Sequence, residues 1–265
     1  MERKKASILG CMFLLGCATS PTGRSQLLLL PESQMAELGT QAFTEMKASE
    51  PVSTASAPNR YVSCISDAIL SAAGLTKEQQ WEVVVFQSNQ INAFALPGGK
   101  IGVYTGMIEF AENQHQLAAV VGHEVGHVIA QHGNERVSQQ TAAAGFTQLL
   151  AAVTNANESQ TGQMVMAGLG LGFQYGVALP FGRTQEEESD VIGLKMMAKA
   201  GFDPSEAPKL WVKMDQLGGG GGPEFLSTHP DPSRRAEYLR RMQKDVAPSY
   251  QQARANGRRP NCQRP

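Results

Sequence analysis

The sequence predicts an α+β fold, mostly helical with a small β-sheet. Two short runs of β-branched and aromatic character, Glu82 to Gln87 and Ile101 to Tyr104, read as strands. Between them Asn92 to Leu96 looks extended, and Pro97-Gly98-Gly99 is a turn signal. From Asn113 onward the pattern is helical, with further helices expected at about 135–153, 184–200, 205–216 and 232–244. A length of 265 residues allows one sizeable core with short extensions.

The first residues carry a targeting pattern. Arg3, Lys4 and Lys5 precede a short apolar run from Ile8 to Leu15. That run is shorter than the roughly 20 apolar residues needed to span a bilayer, and it fits a secretory signal. Its end, Leu14-Leu15-Gly16-Cys17, resembles a bacterial lipobox, which makes Cys17 the expected lipidated first residue of the mature chain. An alternative box, Ile8-Leu9-Gly10-Cys11, leaves almost no apolar run before it, and an ordinary cleaved signal with a chance cysteine is a second alternative. By the same resemblance, Ala18 rather than Asp after Cys17 favours the outer membrane. Cys11 would leave with the signal and Cys17 would carry lipid, so Cys64 and Cys262 are expected to pair in an oxidising compartment, two free thiols being the alternative. Charged residues are 18% and the formal net charge is −1, which argues against nucleic acid as a partner. The arginines at 254, 258, 259 and 264 read as a solvated, frayed tail.

The remaining elements follow in order. Residues 18–31 read as a tether with Pro21, Gly23 and Pro31, followed by a helix from Glu32 to Lys47. Pro51 to Pro58 is a linker, after which Asn59 can cap a helix with Val62, Ile65 and Ile69 on one face and Gly74 at its end. Gly98-Gly99-Lys100 is not a phosphate loop, because Ile101 stands where Ser or Thr is required. Asn113 and Gln116 make a capping-box-like start for the next helix, and Gly133 is its expected stop. Met164 to Leu179 reads as a buried Gly-rich helix. Asp203-Pro204 and Asp231-Pro232 look like cap and first-position pairs. Gly218 to Gly222 reads either as a flexible surface loop or as a mobile cover over a site near His229.

Chemistry concentrates in His123-Glu124-Val125-Gly126-His127. Residues four apart share a helical face, so both imidazoles can reach a single Zn²⁺. Glu124 sits one step round, placed to meet water at the metal rather than to bind it. Leu117, Ala118, Val120 and Val121 bury the helix and would hold the ligands rigidly. A catalytic zinc needs a third protein ligand and an open position. Glu186, within Glu186-Glu187-Glu188-Ser189-Asp190, is the expected ligand, with Asp190 four residues on accepting a hydrogen bond from a ligand imidazole. Glu187 and Glu188 compete for the ligand role, and a solvated acidic helix start is the bland alternative. His115 and His132 are not at ligand spacing and read as structural or exposed.

These motifs, with Asn92 to Gly99 and Ser227-Thr228-His229-Pro230, occur in the order found in the HtpX-like gluzincin metallopeptidases, and the chain resembles that family over nearly its whole mature length. The lipobox and Thr22-Gly23-Arg24-Ser25-Gln26 make it similar to the family's outer-membrane lipoprotein and periplasmic proteases. The resemblance implies a zincin-type fold, one Zn²⁺ per chain held by His123, His127 and Glu186, and Glu124 as general base. Ser189 stands where the family usually has Ala. His229 is the candidate donor to the oxyanion, Arg235 a weaker one. A different reading makes His229 a latent metal ligand.

The implied organisation is a signal at 1–16, a lipid-anchored tether and helix at 17–58, a zinc metallopeptidase domain at 59–248 and a tail at 249–265. The implied function is hydrolysis of peptide bonds in misfolded or unassembled outer-membrane and periplasmic proteins. The protein would face the periplasm, with other envelope proteins as further candidate partners. Asn92 to Gly99 is expected to offer a strand edge to an extended peptide. A chaperone-like or binding lipoprotein with a latent metal site is the main alternative, and a purely structural lipoprotein the third.

Overall fold

Alternation of side chains along three short strands sets two cores, one on each face of a sheet. The computed structural model describes residues 17–75, 81–153, 181–217 and 223–265. The expected signal at 1–16, the apolar stretch Met164 to Leu179 and the glycines 218–222 lie outside these residues. Strands β3 (Glu82–Phe86), β4 (Ala93–Leu96) and β5 (Lys100–Tyr104) form a sheet in the order β3-β5-β4, parallel between β3 and β5 and antiparallel between β4 and β5. The β4–β5 turn needs positive φ at Gly98 (82°) and Gly99 (74°), which glycine adopts without strain. On one face Phe86, Phe94, Leu96 and Tyr104 pack with Phe43 of α1 (Glu32–Ser49). On the other, Val85, Ala93, Ile101 and Val103 join the main helical core. β4 is an edge strand, pairing among the described residues with β5 alone.

Helix α2 (Ser56–Ala73) buries Tyr61, Val62, Ile65 and Ile69, and Gly74 ends it at φ 73° as expected. Each of the aliphatic side chains Val62, Ile65 and Ile69 contributes about 1.5–3 kcal/mol when fully buried. The helix starts three residues before the expected cap. Pro58 fits the first turn, where no backbone donor is needed, so Asn59 lies inside the helix and donates to the carbonyls of Ser53 and Ala55 (both 2.8 Å).

After the short α3 (Thr105–Phe110), Asn113 caps α4 (Gln114–Ile129) by accepting from the backbone N–H groups of His115 (2.9 Å) and Gln116 (3.0 Å). The Gln116 side chain reaches back to the N–H of Glu112, one residue earlier than a capping box requires. Every residue from Gln116 to His127 is buried, as befits a helix apolar on all sides. Gly133 does not end this helix. Gln131 itself takes the left-handed conformation (φ 53°), and α5 (His132–Val153) begins at once, with Gly133 inside its first turn.

Helices α6 (Arg183–Ala200), α7 (Glu206–Gln216), the short α8 (Glu224–Thr228) and α9 (Pro232–Ala255) complete the core. Pro232 occupies the first position of α9 as expected, and Asp231 precedes it in the left-handed conformation (φ 60°) without a side-chain cap bond. Asp203 does not cap α7 either; it accepts from the Ser205 N–H in the turn before the helix. α9 runs eleven residues past the expected end at 244 and carries Pro248 within it. The tail is docked rather than frayed. Cys262 is buried and disulfide-bonded to Cys64 of α2, and Gln114 accepts from the Cys262 N–H and donates to the carbonyl of Pro260.

One correction concerns the N-terminal segment. Residues 17–27 form a hairpin of β1 (Cys17–Thr19) and β2 (Ser25–Leu27), antiparallel, closed by a turn in which Gly23 has φ 91°. Where the sequence reads as a tether, polar side chains of the turn instead find buried partners on α5 and α6. Of the two readings of His132, structural or exposed, the structure bears out the first: it is fully buried at the start of α5.

Helices α4 and α6 cross in backbone contact. A Cβ on Gly193 would stand 2.8 Å from the backbone of Gly122 and His123, and one on Gly126 would stand 2.8 Å from Ser189 Oγ. Ser189 Oγ donates to the carbonyl of His123 at 2.5 Å, a tie that alanine would lack. Backbone cannot yield to an added methyl as a side-chain tip can. Gly193→Ala is therefore expected to lower stability by about 1–3 kcal/mol and to weaken zinc binding with it. Chemical unfolding and chelator competition check this; an unchanged midpoint and zinc affinity would refute the tight crossing.

Candidate metal centre

The close crossing brings the ends of four side chains from α4, α6 and the α8–α9 junction to one point. Donor atoms of His123, His127, Glu186 and His229 all lie within 4.8 Å of one another, and all four residues are buried. His123 Nε2 is 3.0 Å from His127 Nε2 and 3.5 Å from Glu186 Oε2. His127 Nε2 is 3.4 Å from Glu186 Oε1. His229 Nδ1 is 3.0 Å from Glu186 Oε1 and 3.2 Å from His123 Nε2. Tetrahedral zinc with ligand bonds of about 2.0–2.1 Å would place its donors about 3.3 Å apart. The spacing fits.

Electrostatics point the same way. The carboxylates of Glu124, Glu186 and Asp190 are buried with the guanidinium of Arg235, and the partly buried Arg136 is near enough to Glu186 to feel its charge. With neutral imidazoles that leaves an excess of negative charge, which a divalent cation neutralises. Glu124 Oε1 is buried without a hydrogen bond among the described residues, and Glu186 Oε2 meets only ion-pair contacts with Arg235 and His123. Burial pushes the Glu124 carboxyl above its ordinary range, the property a proton acceptor near neutral pH requires. Burial and the neighbouring His123 push His127 well below the usual imidazole range, keeping it in the neutral form that binds metal.

The acidic run on α6 divides by direction. Glu186 faces the two helical imidazoles. Glu187 points outward to an ion pair with Arg234. Glu188 turns the other way and meets His132 (3.1 Å), Arg24 (3.0 Å) and Thr22 (2.6 Å). Burial alone would raise the Glu188 carboxyl, but hydrogen bonds from Ser20, Thr22, His132 and Arg24 outweigh it and hold the group at about 2. Asp190 Oδ1 lies 3.0 Å from His123 Nδ1, so it can fix that ring with Nε2 turned to the centre.

Arg235 is less an oxyanion donor than an organiser. Its guanidinium forks onto both oxygens of Asp190 (2.6 and 2.9 Å), pairs with Glu186 Oε2 (2.8 Å) and stacks 3.5 Å over Trp211. Glu124 Oε1 is 3.5 Å from His229 Nε2.

Sequence reasoning missed His132. Its Nδ1 is 2.9 Å from His127 Nδ1, which places it directly behind an expected ligand. The spacing of five residues gives no shared helix face, and only the turn at Gln131 folds it back. Phe181, stacked on His127 with ring centroids 3.9 Å apart, was also missed. A cleft of about 510 Å³ opens beside His127, bounded by Ala95 to Gly99, Trp81, Met35 and Phe181. His115 sits outside the cluster and accepts at Nδ1 from the Asp203 N–H.

A mostly helical fold built round two helical imidazoles, a carboxylate from a second helix and an unpartnered glutamate is that of a zincin-type metallopeptidase. The chain belongs to Peptidase family M48, whose sequence profile matches residues 56–243. It is 36% identical over 177 residues to the mitochondrial metalloendopeptidase OMA1 of Schizosaccharomyces pombe, covering 66% of this chain and 50% of that one. It is 31% identical over 242 residues to the mitochondrial OMA1 of Bos taurus, covering 83% and 45%. With the beta-barrel assembly-enhancing protease of Escherichia coli it shares 27% identity over 236 residues, covering 87% and 48%. The chain thus spans about half the length of these relatives.

Proposed function

We propose that this protein is a zinc-dependent endopeptidase that hydrolyses peptide bonds in misfolded or unassembled envelope proteins. The observation that carries the reading is the meeting of His123, His127 and Glu186 beside the unpartnered Oε1 of Glu124. His123, His127 and Glu186 would hold a zinc ion, whose Lewis acidity would favour deprotonation of water and polarise the scissile carbonyl. Glu124 takes the proton of the attacking water at Oε1 and passes it to the leaving amine. Asp190 orients His123, and Arg235 holds both Asp190 and Glu186 in place. The unpaired edge of β4 lies along the cleft beside His127, so an extended peptide can add to the sheet there through main-chain bonds. Such binding depends little on sequence, which suits unfolded substrates.

The lipobox-like Leu14 to Cys17 supports anchoring by acyl chains on Cys17 at the outer membrane, facing the periplasm. No helix among the described residues is long and apolar enough to cross a membrane. The similarity to a protease named for beta-barrel assembly supports envelope proteins as substrates.

One observation favours a second state of the same site. His229 stands among the metal donors, with Nδ1 as near to Glu186 and His123 as those ligands are to one another. In this reading His229 fills the fourth position and keeps the enzyme latent until a substrate displaces it. A protein held in that state permanently would be the chaperone-like alternative.

A casein digest tests the function. The unaltered chain is expected to cleave and to stop when a chelator is added. Glu124→Gln is expected to retain zinc yet lose cleavage by about 10²-fold or more. Binding of unfolded casein by the unaltered zinc-loaded protein with no cleavage at all would favour the chaperone-like alternative. In the same assay His229→Ala is expected to cleave faster than the unaltered chain. Slower cleavage with full zinc content would return His229 to the role of oxyanion donor.

A further inference from the structure

We propose that His132 and Glu188, locked by Thr22 and Arg24 of the N-terminal hairpin, are positioning residues that dictate which ring nitrogen His127 presents to the metal. The inference rests on reading the cluster as a zinc site, and it assigns work to a segment that otherwise looks like a tether.

The chain of contacts begins at the hairpin turn. Thr22 Oγ1 donates to Glu188 Oε1 at 2.6 Å, and Arg24 Nε donates to Glu188 Oε2 at 3.0 Å. The other guanidinium nitrogens of Arg24 donate to both oxygens of Glu135 at 2.5 and 2.7 Å. Gln26 donates to the carbonyl of Ala130 at 2.7 Å, just past the end of α4. Three alternate residues of one short hairpin, Thr22, Arg24 and Gln26, therefore grip α6, α5 and the end of α4. Of these, α4 and α6 carry proposed ligands, and α5 carries His132.

The consequence for His127 follows from donor and acceptor counting. A carboxylate surrounded by donors is an acceptor, so at 3.1 Å from Glu188 Oε2 the His132 Nε2 carries the proton. The opposite nitrogen of a neutral imidazole is then an acceptor. His132 Nδ1 lies 2.9 Å from His127 Nδ1, which must supply the hydrogen. That leaves the lone pair of His127 on Nε2, the nitrogen 3.4 Å from Glu186 Oε1 and 3.0 Å from His123 Nε2. A carboxylate two imidazoles away thus selects the ligand atom. Asp190 serves His123 directly, with one step where His127 has two. Without the relay, the His127 ring would divide between tautomers, and only one of them binds.

The test compares zinc dissociation constants of the full chain, by chelator competition, with the histidine tautomers read from ¹⁵N–¹H spectra of the metal-free protein. His132→Phe keeps a buried ring but neither nitrogen, and is expected to weaken zinc binding about 10–100-fold. His132→Asn retains one acceptor and one donor, and is expected to recover most of that loss. Arg24→Gln, on a partly exposed hairpin side chain separated from His127 by Glu188 and His132, should shift the constant in the same direction by less. It also guards against misreading a folding defect in His132→Phe. In the unaltered protein the His127 proton is expected on Nδ1. Zinc constants for His132→Phe and Arg24→Gln within twofold of the unaltered chain, or a His127 proton found on Nε2, would overturn the relay. An unaltered chain that binds no zinc would overturn the metal-centre reading itself, and the relay with it. Loss of cleavage with zinc affinity intact would touch only the proposed peptidase activity.

Discussion

The close crossing of α4 and α6 is the constraint on which the rest of the molecule depends. Its tightest points are Gly122 against Gly193 and Gly126 against Ser189. Glycine at these places lets the two backbones approach until His123, His127 and Glu186 converge, and Ser189 bonds to the carbonyl of His123. Buried carboxylates and imidazoles are costly unless each finds a partner. The helices therefore have to be held at one separation and one rotation, and most of the remaining structure serves that end.

Support comes from two sides. Arg235 of α9, stacked on Trp211, neutralises Asp190 and Glu186 from behind, while Phe181 and Phe225 stack on the rings of His127 and His229. On the opposite side the hairpin joins α5 and α6 through Arg24. The Cys64–Cys262 disulfide ties the tail to α2, at the end of the molecule where Asn113 caps α4. The side of the cleft beside His127 is left to β4, whose outer edge has no strand partner among the described residues.

Features that depend on local spacing were legible in the sequence. His123 and His127 are four apart on a helix that is apolar all round, and Glu186 with Asp190 repeats the interval on a second helix, so each pair had to share a face. Strand β4 and the Gly98-Gly99 turn followed from composition, and the pairing of Cys64 with Cys262 followed from compartment and elimination. Features made by long-range contact were not legible. His132 joins the site only because Gln131 adopts a left-handed conformation that its residue type does not announce. Arg24 and Thr22 read as tether because their partners, Glu135 and Glu188, lie more than a hundred residues away. The start of α2 moved because Pro58 suits a first helical turn, and the end of α4 because Gln131 turns left-handed.

The central claim is that two imidazoles of α4 and one carboxylate of α6 hold a single zinc ion. Anomalous diffraction at the zinc edge, from crystals of the full chain grown with zinc, addresses it directly. The account predicts one strong peak per chain, about 2.0–2.2 Å from His123 Nε2, His127 Nε2 and a Glu186 oxygen. No peak at that point, or a peak out of bonding reach of Glu186, would contradict it.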